Sequence, residues 1–128
     1  MKQRITAPAP RLFKTLSDPT RLRLLNLLAK GEVCVRDLAS TLAIVQPKVS
    51  RHLAYLRRAG LVDARREGKW MHYRQVEHPH PAVRHVLMAV RAWMAHEPPM
   101  ARDLNKLKSV CCETAARETR KQSRKDRK

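Results

Sequence analysis

Two rows of apolar residues with helical spacing, set a few positions apart, constrain this chain more than any other feature. Val35, Leu38, Ala39 and Leu42 recur at intervals of three and four residues, which predicts a helix of about two turns. Pro47 can open a second helix whose inward row is Val49, Leu53, Leu56 and Ala59, and Gly60 supplies its stop. Two helices of this size joined by so short a turn describe a helix-turn-helix unit. The outward face of the second carries Gln46, Lys48, Ser50, Arg51, Arg57 and Arg58, with Tyr55 beside them. That set suits a groove lined with phosphates and base edges.

The flanking segments extend the unit in both directions. Residues 1–10 read as an arm leading into a short helix with Leu12, Phe13 and Leu16 on one face. Ser17-Asp18-Pro19 then starts a helix, since Asp18 can accept orphan N–H bonds and Pro19 at the first helical position loses none. Leu22, Leu24, Leu25, Leu27 and Leu28 make it the central buried helix. Beyond Gly60, Leu61 to Glu67 and Trp70 to Val76 are β-prone runs around Gly68-Lys69, a hairpin with a tight turn. Arg65, Arg66 and Lys69 crowd its tip, either as a solvated basic surface or, the better explanation, as a wing on the phosphate backbone. After the break at His78-Pro79-His80-Pro81, the residues Val83, Val86, Leu87, Val90, Trp93 and Met94 form a stripe with no obvious partner. Pairing with its own copy would cover it, so this helix and the first are expected to build a twofold interface. Met100, Leu104, Leu107 and Cys111 share the face of a final helix, and the polar composition after Cys112 reads as a disordered tail. The expected fold is mainly α with a β-hairpin wing: a winged helix-turn-helix homodimer. An arm at 1–10 and a basic tail at 113–128 flank the DNA-binding and dimerisation domain at 11–112.

Charge narrows the partner. The 128 residues hold 28 Lys and Arg against 11 Asp and Glu, a formal charge of +17. The excess runs along the whole chain rather than sitting in the tail alone. Such a charge repels itself in a compact state and favours a polyanion, with double-stranded DNA ahead of an anionic membrane surface. No apolar run approaches the length of a bilayer span and no leader with a cleavage site is present, so a cytoplasmic protein without a membrane partner is expected. Paired carboxylates, a nucleophile with a base and a glycine-rich phosphate loop are all missing, which argues against an enzyme.

Several stretches together carry a family resemblance: FKTLSDPTRLRLLNLL from Phe13, EVCVRDLA from Glu32, QPKVSRHLAYLRRAGLV from Gln46 and REGKWMHYR from Arg66. Over Leu12 to Tyr73, about half of the chain, the sequence resembles the ArsR/SmtB family of winged-helix repressors, which release DNA on binding a metal or metalloid. The resemblance implies a homodimer on a palindromic operator, with Gln46, Lys48, Ser50, Arg51 and His52 near the groove. Two departures stand out. Val45 occupies the place of a helix-capping serine, and the Cys-x-Cys of the arsenic-responsive members reads Cys34-Val35-Arg36 here. One thiolate cannot chelate, so that site is broken, and Cys34 by itself suits a small buried residue. The zinc-responsive pattern is also incomplete. His85 and His96 have the family's spacing, about 20° apart on an ideal helix, but Val83 and Pro99 stand where its other ligands belong.

The adjacent Cys111 and Cys112 are not required by helix, wing or dimer. With three cysteines in a reducing compartment, free thiols are expected. Two adjacent thiols can bind a soft ion such as trivalent arsenic or antimony, and Arg102, Lys106 and Lys108 nearby favour thiolate. Convergence of both sulfurs would need a frayed or terminated helix. Cys34, or an exogenous thiol, would be the third ligand, and a methylated arsenical would need none. The reading that follows is an arsenic(III)- or antimony(III)-released repressor with no required cofactor. The alternatives are a zinc- or redox-responsive repressor and a DNA-binding regulator without a ligand, in which Cys111 merely packs against Leu107.

Overall fold

A computed structural model describes residues 9–127, without the side chains of residues 9, 112, 113, 115 and 116. The expected arm therefore lies almost wholly outside the described residues. The elements run α1 (Ala9–Leu16), α2 (Pro19–Leu27), β1 (Val33–Cys34), α3 (Val35–Leu42), α4 (Gln46–Arg58), β2 (Val62–Glu67), β3 (Trp70–Gln75), α5 (Pro81–Met94) and α6 (Pro98–Asp126).

Local sequence chemistry sets most boundaries. The Asp18 carboxylate accepts from the backbone N–H of Arg21 at 3.1 Å, and Pro19 follows at the first helical position. His80 plays the same part for α5, its Nδ1 accepting from the Ala82 N–H at 3.2 Å ahead of Pro81. Between α3 and α4 the chain reverses through Ala43, which takes a left-handed φ of 53° without being glycine. Gly60 ends α4 at φ +77°, and a Cβ there would stand 3.0 Å from the His78 ring. The turn from α4 into the sheet therefore needs glycine for both its backbone and its close approach.

The core lies where α2, α3 and α4 meet. Leu24, Leu27, Leu28, Leu38, Val49, Leu53 and Leu56 are all fully buried there, and Leu61 joins them from the entry to β2. At about 25 cal/mol per Å² of apolar surface removed from water, a set of leucines of this size is the main force fixing α4 against the domain. Such burial points the opposite face of α4 outward.

The wing is broader than a hairpin. β2 and β3 pair antiparallel with Glu67 opposite Trp70, and Gly68 supplies the positive φ of the two-residue turn. Val33 and Cys34 add a third strand on the far side of β3, opposite Tyr73 and His72, in the order β1-β3-β2. A two-residue strand shows no periodicity, so sequence reasoning missed it.

The end of the chain differs from expectation. Instead of turning disordered after Cys112, the backbone stays helical to Asp126. Residues 113–126 contain no glycine or proline and are rich in good helix formers. Tertiary bonds support them too: the Thr114 hydroxyl donates to Asp37 Oδ1 at 2.8 Å, and Arg36 Nη2 lies 3.4 Å from Glu118 Oε1. Nearer its start, α6 is tied to α2 by a two-point bond from Arg23 to Asp103 at 2.8 and 3.0 Å and by Asn26 Nδ2 donating to the Met100 carbonyl at 3.0 Å.

Candidate nucleic-acid interface and thiol site

Burial of Val49, Leu53 and Leu56 leaves Gln46, Lys48, Arg51, Arg57 and Arg58 exposed on α4, with Ser50 half-buried at the margin. Among the described residues, Lys48 and Arg51 have no carboxylate at ion-pair distance. Arg57 does, its Nη2 lying 3.7 Å from Asp63 on β2.

His52 and Tyr55, both half-buried, have partners on α2. The Arg21 guanidinium from α2 stacks 4.2 Å from the centre of the Tyr55 ring and lies 3.5 Å from His52 Nδ1, while Asp18 stands 3.9 Å from the same nitrogen. Both side chains therefore brace α4 against the start of α2. Neither Arg21 nor Asp18 shows this role in the sequence, where the helix-start pattern already accounts for Asp18.

The wing cations are not equivalent. Arg65 Nε donates to both oxygens of Glu32 at 2.8 and 2.9 Å, and its Nη1 to Glu67 at 3.0 Å. The hydrogen bond from Arg65 holds the Glu32 carboxyl below the ordinary carboxylate range, helped by the charges of Arg65, His72 and Arg74. By contrast Arg66 and Lys69 are exposed and, among the described residues, have no carboxylate partner. Lys69 Nζ lies 5.5 Å from the centre of the Trp70 ring.

The thiols occupy two kinds of place. Cys34 is the last residue of β1 and the N-cap of α3; at 6% exposure it belongs to the core. The nearby Arg36 is half-buried, its guanidinium 4.7 Å from the centre of the Trp70 ring. Cys111 is half-buried on α6, and its Sγ lies 3.8 Å from Oδ2 of the buried Asp37 on α3. The Cys112 side chain lies outside the described residues. At this point α6 is continuous, and a continuous helix sets neighbouring residues about 100° apart around its axis. The frayed end expected there is absent.

Among the described residues no three His, Cys, Asp or Glu side chains form a metal-binding group. The His85 and His96 spacing loses its meaning because α5 ends at Met94, which places His96 beyond the helix. On α5, Val83, Leu87 and Met94 turn into the protein, whereas Met88 and Trp93 are 63% and 53% exposed; Phe13 on α1 is 60% exposed. No helix among the described residues is long and apolar enough to cross a membrane.

A recognition helix seated on a leucine core, preceded by α3 and followed by a three-stranded wing, defines a winged helix-turn-helix protein. Comparison with known proteins agrees. A sequence model of the arsR family of bacterial regulatory proteins matches residues 18–64. An arsenical resistance operon repressor of Escherichia coli K12 is 54% identical over 68 residues, 52% of this chain and 58% of that protein. An arsenic resistance transcriptional regulator of Pseudomonas putida is 40% identical over 111 residues, covering 80% of this chain and 96% of that protein. This chain thus spans a little over half of the first relative and nearly all of the second. A homodimeric winged helix-turn-helix DNA-binding domain from Mycobacterium bovis superposes with a TM-score of 0.56 at 33% identity, covering 66% of this chain and 76% of that one. The chain belongs to the arsR family, whose members are regulatory proteins rather than enzymes.

Proposed function

We propose that the protein is a cytoplasmic transcriptional repressor that binds a palindromic operator as a dimer and lets go when trivalent arsenic or antimony binds Cys111 and Cys112. The single observation that carries this reading is the contact between Cys111 and Asp37. It joins the proposed sensing thiol to α3, the first helix of the helix-turn-helix unit.

DNA binding rests on the open face of α4, with Gln46, Lys48, Ser50 and Arg51 toward the groove and Arg66 and Lys69 on the backbone of the wing's side. Dimerisation through α1 and α5 would cover Phe13, Met88 and Trp93, each more than half exposed in the single chain. The homodimeric state of the Mycobacterium bovis domain supports this. The arsenic assignment is supported by the Escherichia coli and Pseudomonas putida relatives, both named for arsenic resistance.

On a continuous helix, positions 111 and 112 lie about 100° apart around the axis. Binding through both sulfurs exchanges two thiol protons and two arsenic-bound hydroxyls for two As–S bonds and two waters, with no change of oxidation state. The sulfurs must converge, so α6 opens at residues 111 and 112 and the bonds from Cys111 and Thr114 to Asp37 are given up. A coupling of about 1–3 kcal/mol, or roughly 5- to 150-fold in DNA affinity, is enough for a switch. Cys34 would have to leave the core to supply a third sulfur, so a thiol from solution completes inorganic arsenic more readily.

Gel-shift titration with trivalent arsenic tests the reading. Cys111→Ser/Cys112→Ser should bind DNA normally and stay bound when arsenic is added, while Cys34→Ala should still release. Normal release by the double variant would move the sensor elsewhere.

A further inference from the structure

We propose that the basic end of α6, residues 117–127, is a second DNA-binding surface that lies along the backbone of the duplex flanking the site held by α4 and the wing. This rests on the reading of the protein as a DNA-binding repressor and adds a contact that the helix-turn-helix unit does not contain.

Position is the first argument. Arg36 stacks on Trp70 of the wing and reaches Glu118 on α6. One side chain thus links the amino end of α3, the strand next to the wing turn, and α6. From Glu118 the helix continues to Asp126, about 12 Å at 1.5 Å per residue. The segment therefore departs from beside the wing, in continuity with the proposed interface.

Charge is the second. Arg117, Arg120, Lys121 and Arg124 recur at intervals of three and four, which sets them in one stripe along the helix, Arg127 follows at its cap, and all are exposed. Between residues 119 and 127 Asp126 is the single acidic residue, and it accepts from Gln122 of the same helix at 3.2 Å. Like charges at this spacing repel and weaken a helix unless an anion neutralises them. A phosphate backbone is a linear polyanion that does so at every turn of the stripe. Arg117 and Lys121 also line a cleft of about 310 Å³ between α6 and α3, beside Arg36 and Glu118. The cationic stripe is therefore anchored at one end rather than hanging free.

The test uses the full-length dimer and a site enriched by the protein from random duplexes, presented in about 20 and about 40 base pairs so that only the longer form has flanks. The variant Arg120→Gln/Lys121→Gln/Arg124→Gln removes charge from the stripe while keeping good helix formers. Binding is followed by fluorescence anisotropy across a salt series, with circular dichroism and thermal melting to show that the dimer is intact. On the long duplex the affinity should fall about tenfold and the slope of log K against log salt should shrink by about 2, the loss of two or so phosphate contacts. On the short duplex the variant should match the parent. Equal behaviour on both duplexes, whether unchanged or equally weakened, overturns the flanking contact while leaving the repressor reading standing. A parent protein that binds neither duplex would sink both.

Discussion

The two cationic regions of this protein face the same way in sequence but not in energy. On α4, Lys48 and Arg51 project from a helix whose opposite side is locked by leucines, and among the described residues no carboxylate competes for them. In the wing, Arg65 is already held by Glu32 and Glu67, and on the adjoining face Arg57 and Arg74 share Asp63. A phosphate that recruits Arg65 must displace carboxylates that serve it well, and the net gain is what remains after that exchange. A phosphate or base that meets Arg51 displaces only water and counterions. Counting cations therefore overstates Arg65 and Arg57, which are paired, and understates Lys48 and Arg51 on α4 with Arg66 and Lys69 in the wing.

The largest effect that would break this contrast is at Arg51. Arg51→Ala is expected to weaken operator binding by about tenfold to a hundredfold, the range for losing a good base or backbone contact. Its arsenic uptake, followed by mass spectrometry of the bound protein, should be unchanged. A loss of both activities would mean that the two sites are not separate.

A smaller effect sharpens the other half. Arg65→Ala should change DNA affinity by less than about threefold, because an exposed ion pair and a phosphate contact nearly cancel. Glu32→Gln, which frees Arg65 while keeping the shape of the side chain, should raise affinity by about two- to fivefold with a steeper salt dependence. If Arg65→Ala matched Arg51→Ala in its cost, the carboxylate clamp would be irrelevant to binding.

The smallest expected effect is one of pH. The Glu32 carboxyl is held below its usual range by Arg65, so its contribution to stability is present above the unfolded-state pKa and lost only as pH falls through the lower folded value. The affinity ratio between Glu32→Gln and the parent should therefore stay flat from about pH 8 to pH 9, where neither an ordinary carboxyl nor an ordinary imidazole changes charge. A ratio that drifted across that window in anisotropy titrations would assign the clamp to another group.

Much of the architecture was legible in the chain because it is written in local periodicity. Val35 to Leu42, Val49 to Ala59 and the runs around Gly68 show their spacing without help from distant residues. What stayed hidden depends on partners far away in sequence. Glu32 meets Arg65 across 33 positions, and Cys111 meets Asp37 across 74. Neither pair leaves a mark on the local pattern. The same holds for β1, two residues long and paired only because β3 is there, and for residues 113–126, whose polar composition suggests disorder until Asp37 and Arg36 offer them bonds. Position on α4 alone sets His52 and Tyr55 toward the groove; their contact with Arg21, from another helix, leaves no mark on the local pattern.

Helix α6 carries the cysteine pair and the cationic end on a single uninterrupted spiral, and that makes angular phase a property under constraint. Inserting one residue between Leu107 and Cys111 would keep every side chain and every charge, yet rotate all that follows by about 100°. Cys111 and Thr114 would lose their line of sight to Asp37, and Arg36 would lose Glu118. An insertion of four residues would restore most of the angle while shifting the end of the helix by about 6 Å along its axis. Changes of length in this segment therefore act as rotations first and as extensions second.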